Sequence, residues 1–265
     1  MIDSIVVQAP LFLLIAVRCF AVLMTLPLFS MRSVSRTAKI ALAGYMTYIV
    51  LPHADFSAYA SYISPSGLFD LTYVFLLIGE AMIGVIIGFF VTIIFSVFST
   101  AGQFFAFQMG LSASEVYDTL AQVENPLMGQ YLNLVATLIF LQSKWFQKLF
   151  LRGLYASCTT MNVFKLLEAR ERIVLFFTRS LTELFADALV IAIPISGTLL
   201  LVSISLGILA RAAPQMNLLS EGFALMLLVS FLIITALIPP LCDFFERSFN
   251  SGITSLLGII AGGGT

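Results

Sequence analysis

Arg18, Glu80, Arg179, Glu183 and Asp187 are the side chains whose chemistry is most conspicuous, because each stands inside or beside a long run with almost no other charge. A lone charge at the centre of an apolar helix costs roughly 2.5–3.5 kcal/mol on insertion scales, so each needs an opposite charge, a polar cavity or water in place of lipid. For Arg18 the candidates are Glu80, Asp187 or backbone carbonyls. Arg179, Glu183 and Asp187 recur every four residues, which lets Arg179 reach Glu183 one turn on and leaves Asp187 for another group. Intramembrane acids of this kind serve proton or ion pathways, the argument for a secondary ion-coupled membrane transporter. A helix end at the membrane interface, directly after a basic loop, explains the same three charges without transport.

No enzyme constellation accompanies them. His53, the single histidine, stands beside Pro52 at a segment end and reads as a solvated or capping imidazole. Cys19, Cys158 and Cys242 form no CxxC pair and read as buried thiols rather than metal ligands. There is no Ser-His pairing and no phosphate-binding glycine loop, so neither catalysis nor a cofactor is expected.

The elements that must position these charges follow from composition. Of 265 residues, 60% are hydrophobic and 10% charged, the formal net charge is −1, and the mean hydropathy is +1.05. Soluble domains are about 25% charged, so a water-soluble globule, a disordered chain and a nucleic-acid binder are excluded; an all-α integral membrane protein remains. A crossing helix needs about 20 mostly apolar residues. Residues 5–29 qualify, and the acidic start Met1-Ile2-Asp3-Ser4 argues against a cleaved signal peptide. Residues 40–51 are short, so that element either begins near Thr37 or does not cross. Residues 71–111 carry only Glu80 and suit one very long helix or two spans meeting near Gly102. Residues 127–143 are shorter. Residues 173–210 are again double length, with Pro194 and Gly197 as a kink or turn, and residues 222–242 end the series before Pro239-Pro240. The tail Gly262-Gly263-Gly264-Thr265 is expected to be flexible.

Cytoplasmic loops collect Lys and Arg. Arg32, Arg36 and Lys39 therefore place residues 30–39 inside, Asp55 and Asp70 place residues 52–70 outside, and the six basic residues of 144–172 place that loop inside. Residues 112–126 carry Glu115, Asp118 and Glu124 without a base and belong outside, which requires residues 71–111 to cross twice.

Two further patterns stand out. Glu80, Gly84, Gly88, Thr92, Ser96 and Thr100 recur every four residues and describe an inclined groove for a crossing helix, with Gly84-x-x-x-Gly88 as its point of close approach. Packing within the chain is the simpler reading and a subunit interface the other. Residues 102–112 bracket Phe104, Phe105, Phe107, Gln108 and Met109 between Gly102 and Gly110, with Leu111 and Ser112 following; Phe with Met makes a deformable apolar seal, although a Phe-rich helix end fits the same composition.

At Arg211-Ala212-Ala213-Pro214-Gln215-Met216-Asn217, followed by Gly222-Phe223, the chain resembles the FliR family of flagellar biosynthetic proteins and its counterparts in virulence type III secretion. The likeness also takes in Pro27-Leu28-Phe29, the Glu80 segment with its glycines, Gly102-Gln103 through Gln108-Met109-Gly110, and Asn125-Pro126. The sequence departs from the family at Phe140-Leu141-Gln142-Ser143-Lys144-Trp145, where Gly-His commonly follows Phe-Leu, and at Glu221, where an apolar residue is usual.

The resemblance implies long, bent hydrophobic helices packed as hairpins, FliP-like over about residues 1–210 and FliQ-like over 211–265, within a helical multi-subunit assembly. It implies FliP-like and FliQ-like partners, FlhB-like and FlhA-like export proteins nearby, membrane lipid around the assembly and unfolded exported proteins as cargo, with no nucleic acid. The setting is the bacterial inner membrane within the flagellar basal body, part of it on the periplasmic side. In such proteins a loop plugs the closed channel, and its matching positions are Phe104, Phe105, Phe107, Gln108, Met109, Gly110, Leu111 and Ser112. Arg211, Pro214, Gln215, Asn217 and Gly222, with Gly84 and Gly88, are the implied motif and subunit-packing positions. Energy would come from the wider apparatus, so no proton relay is required.

Overall fold

The structure is a computed structural model that describes residues 2–30, 34–54, 57–59, 62, 70–109, 127–212 and 218–260, the side chains of 2–8, 30, 105, 107, 218–220, 257, 259 and 260 excepted. Among these residues every regular element is helical, in keeping with an all-α membrane protein. The first apolar run forms α1 (Ile2–Thr25), with Pro10 inside it, and Pro27 then opens the single turn α2 (Pro27–Ser30), the position where its fixed φ and missing N–H cost least. α3 (Arg36–Val50) begins where the Ser35 hydroxyl accepts from the Ala38 amide at 3.2 Å. At about 1.5 Å per residue α3 is roughly 22 Å long, too short for a hydrocarbon core of about 30 Å. Short 3₁₀ turns follow at Leu51–His53 and Ser57–Tyr59.

α4 (Leu71–Gln108) is one helix of 38 residues. The two-span alternative is excluded: Gly102 lies inside the helix, where its lack of a side chain serves packing and not a turn. Asp70 accepts from the Leu71 amide at 2.7 Å and from the Thr72 hydroxyl at 3.2 Å, placing a carboxylate at the positive end of the helix dipole. Because Asp70 and Met109 flank opposite ends of one helix, a single crossing cannot leave both adjoining segments outside, and the loop-charge rule fails here. α5 (Leu127–Gln142) and α6 (Trp145–Lys148) follow, then a π-helical turn (Leu149–Leu154), α7 (Tyr155–Thr160) and α8 (Val163–Glu168).

α9 (Arg170–Ala212) and α10 (Leu218–Ile260) have 43 residues each. Pro194 lies within α9, so the expected turn there does not occur; α10 continues through Pro239 and Pro240 to Ile260 instead of ending before them. A helix without water around it has no other partner for its backbone groups, which is why proline interrupts it less readily than in a soluble protein. The glycine tail lies outside the described residues. Among the described residues, three helices are long and apolar enough to cross a membrane: Leu71–Phe104, Arg170–Ala212 and Glu221–Leu256.

The chain forms two compact units. One contains Met1–Ile93, Lys144–Arg179 and Phe249–Thr265, the other Ile94–Ser143 and Ser180–Ser248. In the first, α1 packs against α3 and against the first half of α4, and the Tyr73 hydroxyl donates to the Pro10 carbonyl at 2.8 Å. Phe89 meets Phe177 and Phe90 meets Phe176, while Trp145 stacks 4.5 Å from Phe249 with the Lys148 ammonium 4.0 Å above its ring. In the second, Phe95, Phe140 and Phe245 meet edge to face and Phe98 packs tilted against Phe245. α4 and α5 approach so closely there that a Cβ on Gly102 would stand 2.7 Å from the Gly129 backbone.

Buried charge cluster and candidate gate segment

Arg18 on α1 and Glu80 on α4 are both buried, 2% and 1% exposed, and form an ion pair at 2.5 Å between Nε and Oε2. Of the partners the sequence left open, the structure gives Arg18 two kinds. Besides Glu80, its Nη2 donates to the Met161 carbonyl at 3.1 Å and its Nη1 to the Ser157 hydroxyl at 3.2 Å. The second carboxylate oxygen of Glu80 accepts from the Tyr59 hydroxyl at 2.6 Å, and that hydroxyl in turn accepts from the Val163 amide at 2.7 Å. A buried ion pair offsets its desolvation only when the remaining donors and lone pairs are satisfied, and here each Glu80 oxygen and each guanidinium nitrogen has a partner. Burial, then the charge of Glu80, pushes the Tyr59 phenol above its ordinary range. Burial likewise raises the neighbouring Cys158 thiol, against the opposing pull of Arg18.

The four-residue row on α4 explains why this pair can meet. A Cβ on Gly84 would strike the Arg18 carbonyl and Ala21, and one on Gly88 would strike Thr25 and the Val22 carbonyl. One turn further, the Thr92 hydroxyl donates to the Thr25 carbonyl at 2.8 Å. The row from Glu80 to Thr92 is thus the groove that seats α1, and the space at Gly84 and Gly88 is filled within the chain.

Tyr59, Ser157, Met161 and Val163 escaped sequence reasoning. The one available signal was Arg18 itself: a guanidinium carries five N–H donors, more than one carboxylate accepts, so further buried acceptors were required. Which of eight tyrosines would join is not written in the sequence.

The other site positions are more dispersed. Arg179 and Glu183 are exposed on α9 and Asp187 is half-buried, all in the helix's first half. In the candidate gate segment, Phe104 is 40% exposed and Met109 fully buried, and the Gln108 side-chain oxygen is buried without a hydrogen-bond partner. The side chains of Phe105 and Phe107, and Gly110, Leu111 and Ser112 entirely, lie outside the described residues. Arg211 is exposed at the end of α9; Pro214, Gln215 and Asn217 also lie outside. Gly222 faces Leu206, whose methyl would stand 3.2 Å from an added Cβ, so it lets α10 approach α9. Cys19 and Cys158 are buried and Cys242 half-buried. Exposed His53 rests its ring 5.7 Å from Tyr155 at the end of a 3₁₀ turn. Among the described residues no group of three or more His, Cys, Asp or Glu is placed to hold a metal.

The fold and the charge cluster define a helical integral membrane protein whose central ion pair is closed to solvent. Residues 9–252 match the bacterial export proteins, family 1. The chain belongs to that family, the family of the flagellar biosynthetic protein FliR. It is 29% identical to flagellar biosynthetic protein FliR of Bacillus subtilis over 98% of both chains, and 33% identical to that of Borreliella burgdorferi over 72% of this chain and 71% of the other. Its likeness to the surface presentation of antigens protein SpaR of Shigella sonnei is 29% over 64% of each.

Proposed function

We propose that this chain is a core subunit of the flagellar protein export gate, completing a ring with FliP-like and FliQ-like neighbours and lending residues 104–112 to the closure of the channel. The observation that carries the reading is an apolar helix longer than a bilayer core, together with apolar faces that this chain leaves uncovered. α4 is charge-free beyond its paired Glu80 and, at 38 residues, about 57 Å long; tilted by 40°, the upper end of what spanning helices adopt, it still rises roughly 44 Å against a hydrocarbon core of about 30 Å. The most apolar stretches of α9 and α10 are only 22% and 17% buried by the chain, against 61% for α4, with Ile208, Leu228 and Leu232 each more than two-thirds exposed. Neighbouring apolar subunits cover such faces.

The flagellar assignment is favoured over the virulence one because the match to the Bacillus protein runs over 98% of the chain and that to SpaR over 64%. In this reading residues 211–265 belong to the FliQ-like hairpin region, where α10 meets α9 at Gly222 and Leu206. FlhB-like and FlhA-like proteins would sit beside the ring, in the inner membrane and partly on its periplasmic side, and unfolded proteins would pass through it. A carrier role is disfavoured because Glu80 is buried and its charge is already neutralised by Arg18. The gate assignment is tested by deleting residues 106–111, or replacing Gly110, in cells that assemble the complex. Assembly is expected to persist while the membrane becomes permeable to small ions; unchanged permeability removes the plug from the account.

A further inference from the structure

α7 ends and α8 begins with an abrupt break in an otherwise apolar surrounding. Met161 (φ −115°, ψ 131°) and Asn162 (φ −128°, ψ 171°) are both extended, so the chain leaves one helix and re-enters another within two residues. Such a break strands backbone groups, and a stranded buried group costs free energy comparable to a lost hydrogen bond. Asn162 supplies one replacement itself, its side chain accepting from the Lys165 amide at 2.9 Å. The other two come from far away in sequence: the Met161 carbonyl accepts from Arg18, and the Val163 amide donates to Tyr59. Tyr59 belongs to a 3₁₀ turn, Ser57–Tyr59, that enters the core essentially through this one residue, which is 1% exposed. Outside the cluster the same two segments share a ring contact at the surface. Phe164 stands 6.0 Å from Tyr59 and 5.4 Å from Tyr62, with Tyr62 and Phe164 partly open to the exterior.

We propose that Arg18, Glu80 and Tyr59 form a latch across the helix break at Met161 and Asn162, so that the Ser57–Tyr59 turn and the start of α8 are held or released together. Glu80 is the centre of the latch: it aims Arg18 at the Met161 carbonyl with one oxygen and Tyr59 at the Val163 amide with the other. A displacement applied to either segment through the exposed Tyr62 and Phe164 rings is transmitted to the other through a buried carboxylate on α4. This assignment is independent of the export-gate reading, since it rests on contacts inside one compact unit.

The chain carries its own reporters. Cys158 lies next to Ser157 of the cluster and is buried, Cys19 is buried on α1 beside Arg18, and Cys242 is half-buried. The experiment labels the full chain, assembled in native membranes, with a membrane-permeant maleimide and reads each cysteine by mass spectrometry, alongside amide exchange over residues 157–166 and over α3. Tyr59→Phe and Glu80→Gln are compared with the parent; Arg18→Lys, which keeps the charge but loses the fork that reaches Glu80, Ser157 and Met161 together, is a third variant. A latch predicts that Cys158 labelling and exchange near Val163 rise roughly tenfold or more, as loss of a buried hydrogen bond implies, while amide exchange over α3 (Arg36–Val50), outside the latch, stays slow. Two results overturn it: no change at Cys158 in any variant, or a parallel rise in exchange over α3 and at Cys158, which would make the cluster a general support of the fold without a separable latch.

Discussion

Glu80→Ala leaves a buried guanidinium without its counter-charge, and breaking a buried pair from one side costs about 3–5 kcal/mol. The variant is expected to unfold at clearly lower temperature in detergent, with Glu80→Gln milder because its amide oxygen still accepts from Arg18. Replacing both partners by Met is expected to cost less than Glu80→Ala alone; a double variant that costs the sum of the two single ones would show that the pair is not coupled. Tyr59 adds a pH dependence. Its phenol is pushed up in the folded chain, so the proton is held more tightly folded than unfolded; this contribution is intact below the unfolded value of about 10 and lost as the pH rises beyond it. Parent and Tyr59→Phe stabilities are therefore expected to converge above about pH 10, and parallel pH curves would contradict this. Lys144 is the one residue other than glycine with positive φ among those described, at 55°, between α5 and α6. It occupies the left-handed region that glycine enters without penalty. Lys144→Gly is expected to raise stability by about 1 kcal/mol, measured as a shift of the thermal midpoint. At this scale the sequence exposed need but not partner: Arg18 and Glu80 were conspicuous because charge is expensive there, whereas Tyr59, Ser157 and the 161–163 backbone carry no signal until the fold brings them together.

Between helices, the glycines separate into two kinds that predict opposite outcomes. Gly102 faces the Gly129 backbone on α5, which cannot yield, whereas nothing stands within 4 Å of the place a Cβ would take on Gly197 in α9. Gly102→Leu is expected to force α4 and α5 apart and lower expression and thermal stability sharply. Gly197→Ala is expected to be neutral or to stabilise the isolated chain by up to about 1 kcal/mol, the helix-propensity difference. Equal effects at both positions would contradict the packing described. The existence and type of the long elements were legible because uninterrupted apolar runs admit little else. Their ends were not, since Pro194 and Pro239-Pro240 were weighed as they are in water, where a broken helix finds solvent partners. The loop-charge rule failed around α4 for a related reason: it describes loops flanking simple spans, and it needed two crossings where α4 is a single helix.

For the whole molecule, the 60% hydrophobic composition says only that something other than water covers the chain. α4 exceeds any bilayer core in length, and α9 and α10 leave most of their apolar stretches bare, so protein neighbours are expected to do much of the covering. That part of the account could not come from composition, because a lipid-facing leucine and a subunit-facing one are the same residue in the sequence. Family membership and leftover surface together carry the central claim, that this chain works as one subunit of an export gate. The most direct measurement is purification of the tagged chain from native membranes in mild detergent, followed by mass determination of the intact particle. The account predicts a stable particle containing FliP-like and FliQ-like chains together with this one; a well-folded particle containing this chain alone would contradict it.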